Sequence, residues 1–171
     1  MPPFVVACAL LVLAGLFKLR SPASARTSLQ TLGIRVPALS IRALGLLEVA
    51  LGGLAAVRPD PLTAILVAAA YASFLLTTLA LIRSGESADC GCFGAAGATV
   101  GRAHGIFNGL ACAVAAGAAV TRPPGLLWTF SRSPLVGVTL PLGMIAAAYA
   151  AYAVFTLFAP AWRSYGSEGA L

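Results

Sequence analysis

Five long apolar runs follow one another along the chain, and shorter polar segments separate them. The third run contains no charged residue and is long enough to cross a bilayer as a helix, which needs about 20 residues. We therefore predict five membrane helices, over the runs Pro3–Leu19, Ile41–Val57, Pro61–Ile82, Ala103–Val120 and Leu135–Ala159.

The segments between the runs carry the charged and turn-forming residues. Ser21–Ser40 is a polar connection, part of which would lie along the membrane interface. Arg58–Pro61 forms a tight turn, because neither of its prolines favours a continued helix. Arg83–Arg102 is a Gly-rich loop, and Trp128 and Phe130 after the fourth run suit an interfacial segment.

The first run must be distinguished from a secretory signal peptide, because the Ala-Ser-Ala sequence at 23–25 resembles a cleavage site. No positive charge precedes the run, whereas Lys18 and Arg20 follow it. That order is the reverse of the charge pattern of a signal peptide. We therefore predict that the run is a retained helix.

Composition places the whole chain in lipid. Of its 171 residues, 60% are hydrophobic and 9% are charged, whereas soluble domains carry about 25% charged residues. The 11 Lys and Arg against 5 acidic residues give a net charge of +6. In a membrane protein this balance reports topology and anionic headgroups rather than nucleic acid. We predict a multi-pass cell-membrane protein whose main partner is the lipid bilayer.

The predicted fold class is all-α, a polytopic membrane helix bundle. Residues 1–122 would form a four-helix core, and residues 123–171 would add a connection, a fifth C-terminal transmembrane helix and a short tail. If all five runs span, the connections after the first and third helices emerge on the same face. That face would carry Lys18, Cys90, Cys92 and Arg102.

Glu48 interrupts the second run and lies about 9 Å along that helix from Arg42, at 1.5 Å per residue. It is therefore placed in the half of the bilayer nearest the cysteine loop. Burying a carboxylate there costs free energy unless it is paired, and Lys18 is the expected partner. The simpler interpretations are a structural ion pair for Glu48 and, for Lys18, an ammonium group that reaches the interface.

The Arg83–Arg102 loop contains Cys90-Gly91-Cys92-Phe93-Gly94. A disulfide between two cysteines one residue apart closes a very small ring, which is strained and therefore easily reduced. Gly91 supplies the backbone freedom for that ring and Gly94 permits the following turn. Phe93 would anchor the loop in the interface or cover the sulfur atoms. An exchangeable disulfide of this kind suits a redox catalyst or relay.

Other residues bear on the same loop. Arg102 and the N-terminal end of the fourth helix would favour the reactive thiolate form. Asn108 is expected to make a hydrogen bond between helices. Soft thiolates also suit Cu(I) or zinc, with His104 as a third ligand, although a closed zinc site needs four. Cys8 and Cys112, which lie inside helices, are expected to act as small hydrophobic residues.

The segment 14–19, Ala-Gly-Leu-Phe-Lys-Leu, together with Glu48 and the Cys90–Gly94 element, resembles the MauE family. These are methylamine-utilisation membrane proteins related to the DoxX group, and the resemblance covers Pro3–Val120. It implies a DoxX-like four-helix core associated with redox chemistry. Family members often show Arg-Asn at the start of the fourth helix, whereas here Asn108 follows a phenylalanine.

By this resemblance Cys90 and Cys92 carry the dithiol chemistry, and Lys18 and Glu48 form a polar pair within the membrane. The implied partners are an extracytoplasmic thioredoxin-like protein and a disulfide-rich exported client. Exchangeable disulfides persist outside the cytoplasm. The count of positive residues opposes this orientation, since eight lie on the cysteine face and three on the other, which favours a cytoplasmic loop.

The sequence thus favours thiol–disulfide exchange by Cys90 and Cys92, which would make the protein a component of a thiol–disulfide oxidoreductase. No cofactor or resident metal is predicted. One cysteine pair on one face cannot carry electrons across a bilayer, so a quinone, a second pair or a partner would complete the route. The alternatives are a non-catalytic membrane scaffold for a redox partner, and a copper or zinc carrier that uses the two thiolates.

Overall fold

A computed structural model of the chain describes residues 2–84 and 102–153, and these residues form helices and short connections without a strand. The all-α prediction is confirmed for this part of the chain. The seven helices in it are α1 (Pro2–Arg20), α2 (Pro22–Thr31), α3 (Ala38–Val57), α4 (Pro61–Ser84), α5 (Arg102–Thr121), α6 (Leu126–Arg132) and α7 (Pro134–Ala153).

Four of these helices, α1, α3, α4 and α5, are long and apolar enough to cross a membrane. They correspond to the first four predicted runs, so the protein is a multi-pass membrane protein. The predicted fifth span is not confirmed. Helix α7 contains Pro141, and its apolar part, Pro134–Ala147, is shorter than the other spans. Residues 154–159 of the predicted span lie outside the described residues.

The two short helices occupy connections between the longer ones. Helix α2 lies within the predicted polar connection and starts with Pro22 in its first turn, where the missing proline N–H leaves no hydrogen bond unmade. Its buried residues are Ala25 and Ser28, while half of the remaining side chains are exposed. On α6, the exposed Trp128 ring lies 5.4 Å from the Arg132 guanidinium group, as expected for an interfacial segment.

Helices α1 and α3 approach each other so closely that only glycine fits at the contact. A Cβ atom on Gly45 would lie 2.7 Å from the carbonyl oxygen of Gly15, and one on Gly52 would lie 2.7 Å from that of Cys8. The later residues of one helix thus face the earlier residues of the other, so the two run antiparallel. Close backbone approach at small residues is a common means of packing helices in lipid.

Helices α4 and α5 form a second antiparallel pair, in which Asn108 of α5 contacts Thr78 of α4. The buried face of α5 combines polar residues in its first half with alanines in its second. Its buried residues are His104, Gly105, Asn108, Ala111, Ala115 and Ala118. The polar groups of α5 therefore gather toward the start of the helix.

Two contacts join the helix pairs. The Tyr71 hydroxyl of α4 donates to the carbonyl oxygen of Ala7 in α1 at 2.7 Å, and Lys18 of α1 lies over the Phe74 ring of α4. Helices α1 and α4 therefore run in the same direction. Their C-terminal ends and the N-terminal ends of α3 and α5 lie at one end of the bundle, which we call the loop end.

Candidate functional site

A buried ion pair lies at the loop end between α1 and α3. The Lys18 Nζ atom donates to Glu48 Oε2 at 2.7 Å, and the two side chains are only 6% and 4% exposed. The pairing expected from the sequence is therefore present. Breaking a buried pair by removing one partner typically costs about 3–5 kcal/mol, because the other charge remains buried.

The glycine contacts explain how the two charged side chains meet. Gly15 precedes Lys18 by three residues, as Gly45 precedes Glu48, so each charge lies one helical turn beyond a glycine at the contact. The ideal Cβ position at Gly45 lies 3.0 Å from Lys18 Cβ, and that at Gly15 lies 3.0 Å from Glu48 Cβ. The close backbone approach thus fixes the register of the ion pair.

Lys18 has a second neighbour on α4. Its Nζ atom lies 4.6 Å from the centroid of the Phe74 ring, and a cation over an aromatic face in a desolvated site contributes about 2 kcal/mol. The Phe74 ring meets that of Tyr71 edge to face, at 5.7 Å between centroids. The ammonium group is therefore held between a carboxylate and an ordered aromatic pair.

The ion pair leaves one oxygen of Glu48 without a hydrogen bond. Glu48 Oε1 is buried, and no described residue donates to it. A buried acceptor in that condition costs about 1–3 kcal/mol, more when it is charged. Oε1 is thus the atom of the pair that can accept a proton.

A second polar contact joins α4 to α5. Asn108 Nδ2 donates to Thr78 Oγ1 at 3.3 Å in a buried environment, which agrees with the hydrogen bond between helices expected for Asn108. His104 is also buried, one turn earlier on α5. Phe74 and Thr78 lie one turn apart on the same face of α4, so the amide contact lies one turn from the ring beside Lys18.

The cysteine motif itself, Cys90, Gly91, Cys92, Phe93 and Gly94, lies outside the described residues. The helix ends that flank the segment, Ser84 and Arg102, are both at the loop end. Segment 85–101 thus starts and finishes at the end of the bundle that holds the ion pair. Arg102 is exposed at the first position of α5 and does not join the buried cluster.

The remaining cysteines of the described part of the chain are free thiols. Cys8 is buried in the core that α1, α4 and α5 share, and Cys112 packs against the same core, which is the role expected of small hydrophobic residues. Within residues 2–84 and 102–153, no three His, Cys, Asp or Glu side chains cluster as metal ligands would.

The sequence matches the family described as "Methylamine utilisation protein MauE" over residues 3–121, which is more than half of the chain. The chain belongs to the MauE family. The MauE match includes all four described spans, the ion pair, Asn108 and segment 85–101, and it ends before α6 and α7. No curated protein and no solved structure matches the chain. The DoxX-like nature of the MauE core and the domain boundary at residue 122 remain predictions.

Sequence reasoning missed part of this site. Gly15 and Gly45 were not recognised, although their equal spacing from Lys18 and Glu48 is a detectable signal in two neighbouring helices. Phe74 and Thr78 had no such signal, because they lie in an uncharged run that looks uniformly apolar. Their role depends on which face of α4 turns inward, and only packing decides that.

Proposed function

We propose that this membrane protein of methylamine utilisation carries out thiol–disulfide exchange through Cys90 and Cys92. It would work with an extracytoplasmic thioredoxin-like protein and support disulfide formation in exported clients. Membership of the MauE family supports the general role. The observation that carries the chemical part is the buried pair of Lys18 and Glu48 at the loop end, where segment 85–101 starts and finishes.

The proposed step begins with the thiolate of one cysteine, which attacks a sulfur atom of the partner's disulfide. A mixed disulfide forms and one partner sulfur leaves as a thiolate, which takes up a proton. The second cysteine then attacks the mixed disulfide, so that the Cys90–Cys92 disulfide forms and the partner is released as a dithiol. In the reverse direction the same steps oxidise the partner.

The ion pair supports this chemistry in two ways. Once Glu48 takes up a proton and no longer balances it, the ammonium group of Lys18 favours a negatively charged sulfur near the loop end. Glu48 Oε1, which no described residue occupies with a hydrogen bond, offers an acceptor for the proton that a thiol releases. Lys18 would act through its charge and Glu48 by taking up a proton, so neither residue would form a bond to sulfur.

Trapping of mixed disulfides tests this proposal. In cells, Cys90→Ala and Cys92→Ala each remove one sulfur and prevent the second step, so one variant should accumulate a covalent complex with its partner. Cys112→Ala is the matched control, because Cys112 is a half-buried core thiol. We expect a complex that disappears on reduction and is absent from the control.

Failure to trap a partner with either variant would contradict thiol–disulfide exchange and favour a membrane scaffold. Metal analysis of the reduced purified protein tests the carrier alternative. A stoichiometric copper or zinc ion that Cys92→Ser abolishes would replace the exchange proposal with a metal carrier.

A further inference from the structure

A cavity beside Lys18 lies between α2, α3 and α4 and has no role in the exchange chemistry described above. Water-sized molecules can enter about 100 Å³ of it, and the recess including its mouth measures about 550 Å³. Lys18 and Phe74 lie on its wall together with Ile41, Ser73 and Thr77. The enclosed part is smaller than the cavity of about 150 Å³ that holds benzene in another protein, so a ring would enter it only in part and would also occupy the open mouth.

The position of the mouth indicates that a ligand enters from lipid. Ser73 and Leu44 line the cavity and are exposed on the outer surface of the bundle. Ser73 lies about 16 Å from the Ser84 end of α4 at 1.5 Å per residue, well within the span. Neighbouring exposed side chains, such as Leu47 and Leu76, are apolar. A ligand with an apolar tail would therefore reach the cavity sideways through the bilayer.

The charges on the wall favour a neutral ligand over an anionic one. Among the described residues of the wall Lys18 is the one that carries a charge, and Glu48 already balances it, so a phosphate group would gain no net attraction. Glu48 occupies one N–H of the three on the ammonium group, which leaves donors for a further acceptor. The Ser73 and Thr77 hydroxyls donate to carbonyl oxygens of their own helix. Thr78 Oγ1 accepts a hydrogen bond from Asn108 Nδ2, and Lys18 is the charged donor that the described part of the wall offers to a ligand carbonyl.

We propose that this cavity binds the headgroup of a membrane quinone, with one quinone carbonyl accepting a hydrogen bond from Lys18 Nζ and the ring lying near Phe74. Its redox role rests on the proposed function. There, the dithiol of Cys90 and Cys92 loses two protons and two electrons as the S–S bond forms. The quinone gains two protons and two electrons and becomes the hydroquinone, so the step balances without a further reactant.

Binding can be tested apart from thiol chemistry. The double variant Cys90→Ala/Cys92→Ala, freed of native quinone and placed in nanodiscs of neutral lipid, is titrated with a decyl-substituted benzoquinone. In this background Thr77→Phe places a ring in the cavity, and Leu76→Phe adds the same ring on the lipid side as a matched control. We expect saturable binding that Thr77→Phe weakens about tenfold or more and Leu76→Phe leaves unchanged.

Ser73→Phe is a second variant at an exposed position near the mouth, where a large side chain does not threaten folding. It should weaken binding in the same direction. Saturable binding that neither Ser73→Phe nor Thr77→Phe changes would place the quinone elsewhere and overturn the inference. Absence of saturable binding to folded protein would also overturn it, as would loss of binding when anionic phosphatidylglycerol replaces the neutral lipid.

The two proposals fail separately in these experiments. If the double variant binds quinone but the reduced native protein transfers no electrons to it, the cavity is supported and thiol chemistry fails. If a mixed disulfide is trapped but no quinone binds, the exchange proposal stands and the quinone site is wrong.

Discussion

At the scale of single residues, the main feature is a buried ion pair between two membrane-spanning helices. Lys18 and Glu48 each sit in a membrane-spanning helix, and both are buried. Two charges in such a position are stable only together, because each compensates the desolvation of the other. A purely structural pair is also satisfied by this geometry, so the roles in stability and in chemistry must be separated by experiment.

Glu48→Gln tests the pair at this scale. The amide keeps the shape of the carboxyl group but leaves the Lys18 ammonium buried without a counter-charge, so we expect a loss of about 3 kcal/mol in unfolding free energy. Adding Lys18→Met should recover most of that stability, since it removes the charge that Glu48→Gln leaves unpaired. Thermal unfolding in detergent measures both effects.

The same two variants separate structure from chemistry. If the pair assists exchange, the stable double variant should form mixed disulfides with its partner more slowly than the native protein. An unchanged rate in a folded Lys18→Met/Glu48→Gln variant would assign the pair to stability alone.

The sequence revealed this pair because charged residues stand out inside apolar runs. The residues that surround the pair were harder to predict from the sequence. Phe74 and Thr78 are ordinary members of a membrane helix until α4 is rotated into place, and the sequence pattern does not fix that rotation when most of the helix surface is apolar. The free oxygen of Glu48 was likewise unpredictable, since it depends on the neighbours of one atom.

At the scale of helices, the glycine contact between α1 and α3 predicts an unequal response to alanine at adjacent positions. A Cβ atom on Gly52 would lie 2.7 Å from a backbone carbonyl oxygen, whereas one on Gly53 meets no atom within 4 Å. Gly52→Ala should therefore cost about 1–3 kcal/mol, as overpacked sites do. Gly53→Ala should be neutral or slightly stabilising, because alanine favours the helix.

Both alanine variants remove the same glycine flexibility, so the difference in their thermal unfolding midpoints isolates the contact. Equal midpoints would mean that α1 and α3 are not packed through their backbones. Gly45→Ala should additionally slow exchange, because it separates Lys18 from Glu48.

The turn before α4 predicts that the stability of the protein depends on pH in the acid range. Asp60 caps this helix, since its Oδ1 atom accepts the backbone N–H groups of Leu62 at 2.9 Å and Thr63 at 3.0 Å. These hydrogen bonds, chiefly that from the Thr63 backbone, lower the pKa of the Asp60 carboxyl below its ordinary 3.8. The stabilisation is thus present above that value and is lost as the pH falls through the lowered pKa.

Asp60→Asn should keep the cap and remove its titration. We expect the native unfolding midpoint to fall more steeply below pH 3.8 than that of the Asn variant, measured by thermal scans over the acid range. Parallel curves for the two proteins would show that Asp60 does not cap α4.

The presence of the long helices was easier to predict than their first and last residues. The run Ile41–Val57 became α3 from Ala38, because Pro37 stands at the N-cap with an extended backbone and the helix begins directly after it. Helix α2 was expected only as a polar connection along the interface, because its ten residues include few apolar ones. Its buried face packs against α1 and α3. Short helices of this kind are determined by packing rather than by local propensity.

At the scale of the whole molecule, the sequence already placed Lys18, Glu48 and the ends of the cysteine loop together. Counting spans decides which connections share a face, and the contacts among α1, α3, α4 and α5 agree with that count. The absolute orientation is not fixed by this count, because it depends on which face stays in the cytoplasm during membrane insertion. A fold with four spans is equally stable either way up.

Sidedness therefore gives the last prediction. The proposed extracytoplasmic partner requires that Cys90 and Cys92 react, after mild reduction, with a membrane-impermeant thiol reagent applied to intact cells. Exposed arginines at the loop end argue the other way, and those in the described residues are Arg20, Arg26, Arg35, Arg42, Arg83 and Arg102. The opposite end has Arg58, Arg122 and Arg132, with Asp60 beside them.

We expect labelling from outside, since an exchangeable disulfide persists there and is reduced in the cytoplasm. The arginines would then serve the site by favouring thiolates and would not report topology. Cys90→Ala/Cys92→Ala is the control, because its remaining thiols, Cys8 and Cys112, lie in the core and should not react. If the reagent labels the native protein only after permeabilisation, the arginines do set the orientation, and the exported partner must be abandoned for a cytoplasmic one.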